Sequence, residues 1–415
     1  MTLHQRYCLQ QAWMWGAFGL MLPIMTLFLL RCHFSLFELG LYAAMFSLMA
    51  ILFELPFGTL ADRLGRIRVY RWSLLANIAG CAILLFSHHK FLIFFSAACF
   101  GMARAMNSGT VDAWYARLLR QLRLMDRIPM YLGRAELASA LGLAIMSLLG
   151  GLLPGWLGNR FFDNPYKGCI GLSAVLFLLL LGLTPWLFWE KESPRPAQPP
   201  EPMSAYLREA VTFSWRDPGL KPLMMFFMLV GSVVSVLESY WPVVLKGLLP
   251  QTERTWIFGA FLTLLLVMKG LGGWFSHLLM QWCARRPSLS VGGPLMALAG
   301  SLLLANAMGQ IHILILLLGS AVFFLGVAGT VINAMMHKRA PDTQRSRIAS
   351  AFSLVFQFGS MLASVTLGYA VDRLGVLPTW FGVGCVVAVA AAYGLSMRLE
   401  AQQGEEVWLL AKKPS

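Results

Sequence analysis

Charge is what this chain of 415 residues has least of. Only 13% of its residues are charged against 58% hydrophobic ones, and its mean hydropathy is +0.66. A soluble globular domain of that composition has no way to cover its surface with polar groups. Acidic residues are the scarcest, 19 against 33 basic, which leaves a formal charge of +14. The basic residues form no stripe and are not interleaved with aromatics, so the excess does not read as a nucleic-acid interface. The seven cysteines (Cys8, Cys32, Cys81, Cys99, Cys169, Cys283, Cys385) are scattered without C-x-x-C spacing and read as small core hydrophobes; Cys32 and Cys169 are the one pair placed for a bridge. Gly-rich stretches lack the Lys-Ser/Thr of a phosphate loop. His88 and His89 are adjacent instead of four apart, and no Ser, Cys or carboxylate set forms a hydrolase signature. We therefore expect no enzyme, no cofactor and no metal. A cleavable signal is also absent: residues 1–11 are polar and the apolar run after them has no small-residue cleavage site, so it is expected to stay as a helix.

What the chain has in abundance is long apolar runs. They fall at 12–30, 36–57, 69–87, 91–118, 130–153, 168–189, 222–245, 256–282, 289–309, 312–336, 348–371 and 377–397. Each is near the ~20 residues a helix needs to cross a bilayer. The fold class is thus an all-α membrane protein of about twelve spans. The only long polar segment, 191–221, has five prolines between 194 and 202, followed by an amphipathic stretch around Tyr206 to Trp215. It reads as a linker and surface helix between an N-terminal six-helix half (1–190) and a C-terminal half (222–397), with 398–415 as a tail. Arg and Lys concentrate in the loops on one side, which by the positive-inside rule is the cytoplasmic side and also receives both termini.

Between the second and third runs stands Gly58-Thr-Leu-Ala-Asp62-Arg63-Leu-Gly65-Arg66-Ile-Arg68. The glycines permit close helix approach and a sharp turn, Asp62 offers a carboxylate near helix termini, and the arginines can bind it or anionic headgroups. The spacing resembles the loop signature of the major facilitator superfamily, G-x-L-a-D-r-x-G-r-k, with Ile67 where Lys is usual. The resemblance implies two pseudo-symmetric six-helix halves, a central cavity opened alternately to each side, and transport driven by a gradient. Gly58, Asp62, Arg63, Gly65 and Arg66 then belong to a conformational gate, with Asp62 latching a neighbouring helix N-terminus. Glu54, at the inner end of the second span, is expected to join that gate by pairing with Arg117 or Arg134. The second copy, at Gly273 to His277, is degenerate. Gly368-Tyr-Ala-Val-Asp372-Arg373-Leu-Gly375 looks like another, but the span count puts it on the opposite face, where it reads as a helix-end turn.

Charges inside spans are functional candidates by default. The fourth span holds Arg104, in a context (Asn107-Ser108-Gly109) loosely similar to the family's drug-exporting branches, which implies a part in proton coupling or substrate binding. Asp112 lies two turns on, placed to pair with loop arginines, and Glu238 is the third proton-coupling candidate. The fifth span keeps Gly142, Gly150 and Gly151 of the family's antiporter signature but has Met146 and Ser147 for its central Gly-Pro. In the second half Glu238, Tyr240 and Trp241 of the seventh span and Lys269 of the eighth are expected to face the cavity, as acid, aromatic surface and base. Asn333 and Gln357 add hydrogen-bonding groups there or act as polar glue between helices. The reading is a proton-coupled exporter of a small organic compound, monomeric in the bilayer of the cell's inner membrane. Proton-coupled uptake of an organic anion is the alternative, and a non-transporting sensor on the same fold a third.

Overall fold

The computed structural model describes residues 2–108, 110–121, 128–161, 163–188, 203–249, 254–284, 286–307, 310–341 and 344–396. Fourteen helices lie among them: α1 (Leu3–Arg31), α2 (Leu36–Leu64), α3 (Arg66–Phe86), α4 (Lys90–Asn107), α5 (Val111–Gln121), α6 (Ile128–Phe161), α7 (Lys167–Leu187), α8 (Met203–Arg216), α9 (Leu220–Leu248), α10 (Trp256–Trp282), α11 (Pro287–Ala307), α12 (Ile311–Arg339), α13 (Arg345–Leu374) and α14 (Val376–Ser396). Twelve stretches are long and apolar enough to span a bilayer, α4 and α5 together forming one; α8 is not among them and packs on α9 and α13. Residues 191–202 of the linker and the 398–415 tail lie outside the described residues.

Local chemistry explains where these helices begin and break. α1 starts nine residues earlier than its apolar run because Thr2 and Gln5 form a reciprocal capping box, and Ser35 with Glu38 does the same for α2. The fourth span breaks after Asn107, where Thr110 turns its hydroxyl back onto the Asn107 carbonyl at 2.9 Å. Short polar side chains of this kind compete with the helix ladder for its own backbone groups. Between α2 and α3 the turn rests on Gly65, whose φ of 99° lies in the left-handed region. Gly375 (φ 91°) makes the matching turn between α13 and α14. Both follow the same tetrapeptide, Asp-Arg-Leu-Gly, so the sequence likeness is a likeness of turn geometry.

The two halves pack alike. Within each, the first helix lies against the fifth (α1 on α6, α9 on α13) and the second against the fourth (α2 on α4, α10 on α12). The halves meet along α2–α13 and α6–α10, an exchange of partners expected of two repeats related by a two-fold axis. Both seams are tightest at the end away from α1's N-terminus. There Thr255 Oγ1 donates to the Gly151 carbonyl (2.6 Å), Thr26 Oγ1 to that of Ser239 (3.2 Å) and Tyr240 Oη to that of Leu36 (2.9 Å). A Cβ on Gly151 or Gly259 would meet the other glycine's backbone within about 3.0 Å. Small residues let backbones approach where lipid supplies no hydrophobic drive to associate. At the other end, which carries Arg63, Arg66 and Arg68, Gly58 of α2 and Gly133 of α6 have open space where a side chain would begin.

Candidate functional site

The ionic centre of the C-terminal half is the pair Lys269 Nζ–Glu238 Oε1, 3.7 Å apart. Glu238 is ten residues from the end of α9 and Lys269 thirteen from the start of α10. At the helical rise these are depths of about 15 and 20 Å, near the middle of a bilayer. The side chains are 67% (Glu238) and 47% (Lys269) accessible. Charges at that depth are stable only beside a water-filled path or a partner. Beside them α9, α10 and α12 enclose a cavity of about 50 Å³ whose other walls are Trp241, Val322 and leucines such as Leu237, Leu265 and Leu325. It is smaller than typical small-molecule pockets, which run to several hundred Å³. Trp241 is buried, with ring centroids 5.2 Å from Phe261 and 6.2 Å from Phe258.

Tyr240 does not join that wall. It is fully buried, bonds the Leu36 carbonyl across the halves and touches the Gly40 and Gly368 positions, so it seals the seam instead of facing a substrate. One residue separates it from Trp241, and on a helix that is a turn of 100° onto a different neighbour. Asn333 is exposed on α12 and its side chain makes no hydrogen bond among the described residues.

In the N-terminal half Asp112 is held by α1: Tyr7 Oη donates to Oδ1 at 2.7 Å and Gln11 Nε2 at 2.6 Å. Ser139 Oγ of α6 reaches Gln11 Oε1 at 3.4 Å, and His4 meets the Tyr115 hydroxyl at 2.8 Å. The sequence reading treated residues 1–11 as a polar lead-in and missed Tyr7 and Gln11; their i, i+4 spacing just before an apolar span was the available signal. Arg104 is exposed near the end of α4, and its side chain has no hydrogen bond or ion pair among the described residues.

Glu54 bonds across the halves, but to neutral partners on α13 and not to Arg117 or Arg134. Its Oε2 accepts from Gln357 Nε2 at 2.6 Å and its Oε1 from Ser353 Oγ at 3.4 Å. Asp62 engages Arg66 at 3.0 Å across the Gly65 turn, its side chain 64% exposed; among the described residues it latches no helix N-terminus, whereas Asp372 does. Arg63 is exposed and Gly58 has room around it. All seven cysteines are free thiols, Cys169 donating to the Gly150 carbonyl at 3.5 Å. No group of three or more His, Cys, Asp or Glu able to hold a metal occurs among the described residues.

Twelve spans and two halves sharing one packing scheme define a polytopic membrane protein. The family model of the Major Facilitator Superfamily matches residues 8–364, and the chain belongs to that family. It is 23% identical over 387 residues to the lactose permease of Klebsiella oxytoca, covering 85% of this chain and 84% of that one. It is 20% identical over 394 residues to the uncharacterized MFS-type transporter YxaM of Bacillus subtilis (strain 168), covering 91% and 90%. Among solved structures it superposes on the nucleoside transporter NupG with a TM-score of 0.76 at 14% identity (96% and 100% covered). A POT family transporter in complex with a thioalcohol-conjugated peptide gives 0.73 at 15% (96% of each). At these identities the structures share the fold alone.

Proposed function

We propose that the chain is a proton-coupled exporter of a small amphiphilic organic compound, working as a monomer in the cell's inner membrane with both termini cytoplasmic. The observation that carries this reading is the cavity beside Glu238 and Lys269. One acid and one base stand in walls of Leu, Val and Trp. A sugar, nucleoside or peptide needs many hydrogen-bonding partners in exchange for water, and each group left unpaired costs about 1–3 kcal/mol. An apolar compound with one ionic group loses little there and gains stacking on Trp241. Such a compound dissolves in the bilayer, so pumping outward is the direction in which its transport has a use. The loose Glu238–Lys269 pair supplies the exchange: a proton on Glu238 and a charged substrate on either member are alternative ways to separate it. Arg104 of the other half, which has no ion pair among the described residues, holds an anionic group or repels the proton from its own side.

The open Arg104 and the weakly held Lys269 favour a second reading, uptake of an organic anion. The two separate in proteoliposomes containing a pH-sensitive dye and an imposed pH gradient. Lipophilic cations and organic anions are added in turn to wild type and to Glu238→Gln. Proton flux opposite to substrate flux, lost in Glu238→Gln, supports export. Co-directional flux of proton and anion overturns it in favour of uptake, and absence of flux with any compound overturns both.

A further inference from the structure

The face that lines the cavity does not stop at Lys269. On α10 the wall residues Leu262, Leu266 and Lys269 recur every three to four positions, and the same face continues toward the basic loops with Gly273, His277 and Gln281. On α12 Val322 heads a face that continues in the same direction with Thr330, Asn333 and His337. Past Lys269 all of these except Gly273 are exposed, and every side chain among them is polar. The exposed residues on the opposite face of α10 are Leu264, Val267, Leu271, Trp274 and Trp282, all apolar. A spanning helix that divides its exposed residues in this way turns one face to lipid and the other to a wet space. Gly273 and His277 belong to the degenerate copy of the loop signature, which the structure puts inside α10 and not in a loop.

The two polar faces adjoin. Gly326 of α12 packs on the Lys269 carbonyl, and a Cβ on Gly273 would stand 3.5 Å from Thr330 Oγ1. That hydroxyl donates to the Gly326 carbonyl (2.8 Å), which leaves it able to accept. Asn333, with no hydrogen bond among the described residues, offers an amide N–H and a carbonyl together. His277 meets Gln281 through Nε2 (3.4 Å) and presents Nδ1. Neither helix contains a carboxylate. The stripe therefore suits a neutral group that both donates and accepts, and a carboxamide does both.

We infer that the compound carried has three parts in a fixed order: an apolar end in the cavity, an ionic group at Glu238 and Lys269, and a carboxamide held by Thr330, Asn333 and His277. On α10 and α12 the apolar wall lies on the side of Lys269 away from the basic face and the polar stripe on the side toward it, so the order cannot be reversed. Gly273 and His277 follow Lys269 by four and eight residues. At the helical rise that places the amide about 6–12 Å from the ionic group.

The three-part ligand presupposes the ionic cavity proposed above, and one experiment tests both. Two matched series are the probes. A benzyl group is joined in one to a dimethylammonium centre and in the other to a carbon bearing a carboxylate. Each centre carries a chain that ends in a primary amide placed short of, within or beyond the stated distance, or the same chain ending in a methyl group. Binding to the full chain in detergent is measured by titration calorimetry against protein-free micelles. In wild type the amide within the distance should bind about two- to tenfold more tightly than its methyl match, the scale of one net hydrogen bond, and the other amides should gain less. Thr330→Val, Asn333→Ala and His277→Ala should each reduce that gain while binding the methyl compounds as wild type does, which also shows that they are folded. An amide that gains nothing at any length, or a gain that all three variants keep, overturns the three-part ligand and leaves the stripe as a wetted wall. If the methyl compounds still bind wild type in that event and fail with Glu238→Gln or Lys269→Ala, the ionic cavity stands without it. No binding by any compound of either series overturns both.

Discussion

The Phe37 amide donates to Asp372 Oδ1 over 3.3 Å, fastening the last turn of α13 to the first turn of α2 across the two halves. A carboxylate at a helix N-terminus meets unsatisfied N–H groups and the positive end of the dipole. Tyr240 bonds the neighbouring Leu36 carbonyl, so one turn of α2 is held twice. Asp372→Asn should weaken this closure by about 0.3–1 kcal/mol and Tyr240→Phe by about 0.5–1.5 kcal/mol. Distances between spin labels at that face should lengthen in either variant. Unchanged distances in both would mean that the closure rests on helix packing alone.

Helix packing there depends on Gly151 and Gly259. Any Cβ on Gly259 would collide with the Ser147 carbonyl oxygen. Gly259→Val should therefore keep α6 and α10 apart, shift the population toward opening at the face opposite the basic loops, and abolish turnover while leaving the helix content by circular dichroism intact. A Gly259→Val chain that transports at the wild-type rate would show that the seam never needs to close this far.

Gly65 and Gly375 sit at φ of 99° and 91°. An L side chain in that region is disfavoured by about 1–2 kcal/mol. Gly65→Ala and Gly375→Ala should each lower the midpoint of thermal unfolding in detergent, with Gly273→Ala, which has ordinary φ and room for a methyl, as the neutral control.

The Glu238–Lys269 pair is long and largely exposed. Pairs of this kind contribute about 0–1 kcal/mol to stability. Glu238→Gln, Lys269→Ala and the double variant should unfold within a degree or two of wild type, while each single variant loses transport. A double variant that recovers part of the activity would identify the pair's mutual neutralisation as its main task; full loss in all three would assign each side chain its own contact with substrate or proton.

Cys32 lies in the turn after α1. Burial pushes its thiol up from the ordinary value, with the nearby Lys167 ammonium opposing only in part. At neutral pH less of it is thiolate than in a free cysteine, and thiolate is the reactive form. Maleimide labelling at Cys32 should be slow at pH 7 and rise about tenfold per pH unit well past the point where free thiols level off. A mass spectrum of the oxidised protein should contain no Cys32–Cys169 link, since Cys169 is buried against the Gly150 carbonyl.

Twelve spans, a helix following the proline-rich segment, the Gly65 turn and the reading of Asp372 to Gly375 as a helix-end turn were legible in the sequence. Each is a local matter: length against bilayer thickness, amphipathic period, or a backbone angle that only glycine adopts freely. The start of α1 was missed because a capping box can begin a helix in polar sequence, and the break inside the fourth span because hydropathy does not register a polar interruption of three residues.

Which residues share a site was a different matter. The sequence put Glu238 in the outer part of its span and Lys269 near the middle of its own, and expected both to face the cavity because charges inside spans need a polar path or a partner. It did not separate Trp241, on the cavity wall, from Tyr240, in the seam, because one step along a helix changes the neighbour completely. Nor did it give Glu54 to Gln357, Asp112 to Tyr7 and Gln11, or Phe37 to Asp372. Those pairings are set by how α2, α5 and α1 rotate against their partners, and that rotation is fixed by backbone contacts at positions such as Gly40, Gly151 and Gly259. Hydropathy and charge fixed what the chain must be within a membrane; side-chain packing between helices hundreds of residues apart decided which of its few polar groups meet.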